Sequence, residues 1–118
     1  MYVDGFILAV PSRKLPAYRR LSLKAAKVWK EFGALEYREC VADDLTPKMG
    51  TPFLRGLKIK NGEKVVFSWI VYKSKATRDR VNARVMKDPR LEKMMDPKSL
   101  PFDVNRMAMA GFKILVDA

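Results

Sequence analysis

The sequence has no histidine and a single cysteine, Cys40, in 118 residues. Without histidine there is no Ser-His-Asp or Cys-His nucleophile, no histidine-held zinc, iron or haem, and no imidazole base near neutral pH. One thiol closes no internal disulfide, and a chain of this length buries enough surface, over about 60%, to fold without a bridge or a metal. Long apolar runs are also missing. The longest, Val65 to Tyr72 with Ser68 inside it, covers eight residues, against the roughly 20 needed to span a bilayer as a helix. The start, Met1-Tyr-Val-Asp-Gly-Phe, lacks the basic n-region of a secretory signal and carries Asp4, so the expectation is a chain that begins at Met1 and stays cytoplasmic. Glycine-rich phosphate loops, CxxC pairs and nucleotide fingerprints are absent as well, and no cofactor and no metal is expected.

What remains is 48% hydrophobic and 31% charged, the composition of a folded chain and the length of one domain, residues 1–118. The formal net charge is +11, and its location says more than its size. Residues 12–33 carry seven basic side chains and one acid, residues 73–93 carry eight against three, and all other positions cancel. Both basic segments read as helices. They are either solvated helix faces or, through Arg19, Arg20, Lys24 and Lys27, a surface for RNA or another polyanion.

Tyr2–Val10 has the composition of a strand and stops at Pro11. From Arg13 to Phe32, apolar residues recur every three or four positions with basic ones between them, an amphipathic helix ended by Gly33. Pro16 must then sit in its first turn, where the missing N–H costs nothing. Leu35–Ala42 alternates as a second strand. Phe53–Lys60 and Glu63–Tyr72 flank Asn61-Gly62, a strong hairpin signal. Ser74 caps a second helix running to about Lys87, with Ala76, Thr77, Val81, Val85 and Met86 on its inner side. A short helical turn occupies part of residues 90–103, and Arg106–Val116 gives the last strand. This order predicts an α+β, ferredoxin-like antiparallel sheet with two helices on one face.

Both faces of that sheet are apolar. Val65, Phe67, Trp69 and Val71 share one side of the Glu63–Tyr72 strand, and Val66, Ser68, Ile70 and Tyr72 the other. Two helices hide one face only, and the second would exceed the apolar patch a soluble monomer tolerates. The simplest cover is a second copy, giving a homodimer packed sheet to sheet.

Several stretches carry a family likeness: Tyr2-Val-Asp-Gly-Phe6, Val10-Pro11, Lys30-Glu-Phe-Gly-Ala34, Glu39-Cys40 with Asp43-Asp44, Val65-Val-Phe-Ser-Trp-Ile70, Ser74-Lys75 with Arg78-Asp79, Asp88-Pro-Arg90, Pro101-Phe-Asp103, Arg106-Met107 and Gly111-Phe112. Through them the chain resembles the YbaA-like family of small bacterial proteins, within the dimeric α+β barrel superfamily. The resemblance implies a ferredoxin-like subunit and a dimer whose sheets enclose a barrel. It brings no reaction and no catalytic residues. The family tends to be acidic where this chain is basic, and Val104-Asn105 and Ala110 stand where it usually shows Gly-Lys and a glycine.

Six residues form the candidate pocket: Asp4, Glu39, Cys40, Ser68, Trp69 and Arg106. Asp4, inside an apolar strand, is either a site carboxylate or the partner of Arg106 or Arg38. Cys40 is either a thiol activated by a basic neighbour or a small buried hydrophobe. Asp43, Asp44 and Asp103 are either a cation cluster or solvated loop acids. Trp69, Phe67, Met107 and Met109 line either an apolar ligand cavity or a dimer core, with Ser68 and Arg106 as the polar groups aimed inward. The functional expectation is a small molecule bound or converted in a barrel cleft. The alternatives are polyanion binding by the basic helices and a structural or regulatory dimer without chemistry.

Overall fold

The computed structural model describes residues 1–45 and 58–118. Strand β1 (Tyr2–Pro11) leads through a 3-10 turn at Ser12–Lys14 into helix α1 (Leu15–Phe32), followed by β2 (Glu36–Val41) and β3 (Glu63–Tyr72). Helix α2 (Lys75–Met86), the short helix α3 (Pro89–Met94), a second 3-10 turn at Val104–Arg106 and β4 (Ala108–Lys113) complete the chain. The sheet is antiparallel throughout in the order β2-β3-β1-β4, the ferredoxin-like arrangement.

The helix ends follow from local chemistry. Pro16 lies in the first turn of α1, and Gly33 closes it at φ 127°, a conformation that side-chain-bearing residues resist. Ser74 Oγ accepts the Thr77 N–H at 3.1 Å at the start of α2, and Asp88 Oδ1 accepts the Arg90 N–H at 2.8 Å at the start of α3. Gly62 takes φ 80° in the turn that opens β3, where Glu63 N–H donates to Lys60 O at 3.2 Å. Of the expected strand Phe53–Lys60, residues 53–57 lie outside the described residues, and Lys58–Lys60 are not in a strand.

Register assigns every strand residue to a face. Beneath the helices lie Asp4, Phe6 and Leu8 of β1, paired with Ile70, Ser68 and Val66 of β3, which pair in turn with Tyr37, Glu39 and Val41 of β2. Two apolar clusters form there. One joins Val28, Ile70, Tyr72, Val81, Val85 and Leu91, the other Leu8, Val10, Tyr18 and Val66, and Phe6 packs against both. The opposite face carries Val3, Gly5, Ile7, Phe67, Trp69, Val71 and Phe112. Among the described residues of that face Ala9 and Val65, opposite each other in register, are buried, while Phe67 and Phe112 are 41% and 55% exposed. The Phe112 ring lies across Gly5, 3.6 Å from where a side chain there would begin.

Two expectations need correction. The inner side of α2 is Arg78, Val81, Asn82 and Val85, whereas Ala76 and Met86 are exposed, because the helix turns its polar Arg78 and Asn82 toward buried partners in the sheet. The last strand spans Ala108–Lys113 rather than Arg106–Val116. Its start is set by the 3-10 turn at Val104–Arg106 and its end by the start of β1 at Tyr2, paired with Lys113, beyond which Leu115 and Val116 are largely exposed.

Candidate functional site

A cavity of about 250 Å³ separates the sheet from the helices where the two apolar clusters meet. Among the described residues, the buried polar or charged ones are Asp4, Ser22 and Ser68, and all three line it. It holds two carboxyl groups, each with its own partners.

Asp4, 3% exposed, faces the Arg78 guanidinium at 3.7 Å. Arg78 also donates to Tyr2 Oη at 3.1 Å and stacks its guanidinium over the Tyr2 ring. Asn82 Oδ1 accepts from Trp29 Nε1 at 3.1 Å and from Tyr72 Oη at 3.2 Å. Both contacts fall on the amide oxygen, which leaves the NH2 group to support Asp4. Burial still raises the Asp4 carboxyl above its ordinary range, against the opposing pull of Arg78 and Asn82.

Glu39 is held differently. Tyr18 Oη donates to its Oε2 at 2.7 Å and Tyr37 Oη to its Oε1 at 3.0 Å, with the Ser22 and Ser68 hydroxyls alongside. Among the described residues no Lys or Arg forms an ion pair with it. Burial raises its carboxyl, and the four hydroxyls only partly oppose that. Burial, and then the adjacent Glu39 charge, push both phenols upward, so Tyr18 and Tyr37 stay protonated donors.

The rest of the wall is apolar and soft. Five of the seven methionines line it, Met86, Met94, Met95, Met107 and Met109, and Met86, Met95 and Met109 are exposed at its rim. A second, more open groove of about 570 Å³ runs between α1 and β2, and Tyr18, Ser22, Tyr37 and Glu39 form the partition between the two.

Of the residues singled out in the sequence, Asp4, Glu39 and Ser68 meet in the cavity, as do Met107 and Met109. Cys40 and Trp69 sit beside Glu39 and Ser68 in sequence and therefore point to the opposite face of the sheet, with Phe67, whose ring is 5.5 Å from that of Trp69. Trp69 Nε1 donates there to Glu36 Oε1 at 2.9 Å. Arg106 is also elsewhere. It forks onto Glu63, donates to Lys58 O at 2.7 Å, and so ties the turn before β4 to the turn before β3. The expected partners of Asp4 are thus engaged with other acids, Arg106 with Glu63 and Arg38 with Glu36, and Arg78 stands in their place. Among the described residues no three Cys, Asp or Glu side chains are grouped to hold a metal ion. Arg19, Arg20, Lys24 and Lys27 are exposed along the outer side of α1, and among the described residues none of them is ion-paired. No described helix is long and apolar enough to cross a membrane.

The architecture belongs to a class of solved structures. An NIPSNAP domain protein from Burkholderia xenovorans superposes with a TM-score of 0.57 at 14% identity, over 97% of this chain and 94% of that one. A dimeric ferredoxin-like protein from an uncultured marine organism gives 0.56 at 12% identity, over 99% and 98%. The fold is therefore the ferredoxin-like α+β fold that these structures share.

Sequence narrows the class to a family. Residues 1–104 match the family described as "Protein of unknown function (DUF1428)", and the chain belongs to it. It is 47% identical over 116 residues to the uncharacterized protein YbaA of Escherichia coli K12, covering 98% of this chain and 97% of that one, and matches YbaA of Shigella flexneri to the same extent.

Proposed function

We propose that this protein binds a small, largely apolar molecule in the cavity between sheet and helices, once in each half of a homodimer packed through its open sheet faces. The observation that carries the reading is the convergence of Asp4, Ser22 and Ser68 on one cavity. Folding drives polar groups outward unless something inside uses them. The volume points the same way. About 250 Å³, open to solvent past Met86, Met95 and Met109, is room for a small molecule. A site with polar groups at its base and a methionine rim accounts for the space better than a packing fault does.

The second copy covers what the first leaves open. The face bearing Phe67, Trp69 and Phe112 is apolar and continuous across β3, β1 and β4, and the marine ferredoxin-like relative is itself dimeric.

Native mass spectrometry at low and at high salt tests the proposal. The expected result is a dimer with the same small mass on each protomer at both salt concentrations. Repeated preparations that are bare, and that take up no small organic probe, would refute it. A second reading rests on the exposed row Arg19, Arg20, Lys24 and Lys27: nucleic acid that co-purifies at low salt, leaves at high salt and is lost when those four are neutralised would favour polyanion binding.

A further inference from the structure

We propose that the ligand carries an organic ammonium group, seated on Glu39, with its apolar body against the methionine rim. This rests on the small-molecule reading above and names the chemistry of that ligand. The two carboxyls of the cavity differ in one respect. Asp4 already has a cation, Arg78, at 3.7 Å, whereas the partners of Glu39 are the hydroxyls of Tyr18 and Tyr37 at 2.7 and 3.0 Å, with those of Ser22 and Ser68 alongside. A carboxylate partly removed from water, with hydroxyls fixing its position and, among the described residues, no cation paired with it, is an acceptor set for a positive nitrogen.

The surrounding rings agree. Tyr18, Trp29, Tyr37 and Tyr72 line the same space, and aromatic faces attract an ammonium through their quadrupoles, most strongly once it is desolvated. Among the described residues of the lining, an anionic ligand would find no free cation. Arg38, a basic residue of the lining, has a side chain 61% exposed and 3.6 Å from Glu36. Farther out, five methionines supply a flexible apolar sleeve that can follow the shape of an alkyl or aryl body. The size suits a small amine, since about 250 Å³ lies just below the roughly 300–1,000 Å³ of drug-sized sites. Acidic groups inside a chain of net charge +11 also make the cavity a local exception to the field of the whole molecule.

Calorimetric titration of the full chain at pH 7 with hexylamine, hexyltrimethylammonium and hexanol separates the ammonium from the apolar body. The expected result is that both cations bind at least tenfold more tightly than hexanol, and that Glu39→Gln removes that preference, bringing all three to similar affinity. Hexanol binding as tightly as hexylamine to the unaltered chain overturns the ammonium assignment and leaves the small-molecule reading standing. If none of the three binds, both fall. The comparison on the unaltered chain decides the question even if Glu39→Gln does not fold.

Discussion

The carboxyls of Glu39 and Glu63 are shifted in opposite directions, Glu39 upward by burial and Glu63 downward by its hydrogen bonds to Arg106 and the Lys60 N–H, and the pH dependence of stability should separate them. Burial raises the folded-state pKa of Glu39 above that of the unfolded chain. Its contribution is then fully present below the unfolded value of about 4.3 and is lost as pH rises through the folded value. Glu63, held by Arg106 and by the Lys60 N–H, is lowered to about 2. Its contribution is present above about 4.3 and is lost as pH falls toward 2. Thermal melts from pH 2 to 8 should therefore show Glu39→Gln gaining on the unaltered protein as pH rises above 4.3, and Glu63→Gln losing its disadvantage as pH falls below it. A Glu39→Gln difference that is flat across the range would mean that Glu39 is not desolvated. Asp4, Glu39 and Ser68 stood out in the sequence because each interrupts or ends an apolar alternation. Trp69 and Cys40 stood out equally, but neighbours in a strand point to opposite faces, and the alternation alone does not say which face the helices cover.

At the scale of elements, α2 shows why part of the site was hidden. Val81 and Val85 mark its inner stripe, and Arg78 and Asn82 share that stripe at positions one turn apart. A polar residue on an apolar stripe was the available signal, and it was masked by the high basic charge of the whole segment. Strands β1, β2 and β3 and both long helices were legible because their boundaries depend on local chemistry: Pro11, Gly33, Ser74 and Asp88 act on the residues beside them. The end of β4 was not, because it depends on where β1 stops pairing, a tertiary fact. Ser74 links an end to the site, since its hydroxyl caps the helix that carries Arg78 and Asn82. Ser74→Ala should cost about 1 kcal/mol by denaturant unfolding, and a cost near zero would show that the cap does not hold α2 in place. Filling the cavity from α1 is the complementary change. Ala25→Phe projects into it and should abolish uptake of hexanol while leaving the melting temperature unchanged or higher. Retained uptake would place the binding site elsewhere.

For the whole molecule, the apolar character of both sheet faces sets the constraint. One face is covered by α1, α2 and α3 and encloses the cavity, while the other leaves Phe67 and Phe112 exposed. If a second copy covers it, light scattering will give a mass near twice 13.5 kDa. Phe112→Asp, on a side chain already 55% exposed in one chain, should then yield a folded monomer, and Lys27→Asp should leave the dimer intact. A folded monomer from the unaltered sequence would remove the sheet-to-sheet arrangement without touching the cavity. The cavity itself is tested most directly by labelling the methionine methyl groups with carbon-13 and recording their spectrum during titration with hexanol and then hexylamine. The methyls of Met86, Met94, Met95, Met107 and Met109 should shift together and saturably while that of Met1, outside the lining, stays in place. Five unmoved cavity methyls with both probes at saturating concentration would contradict it.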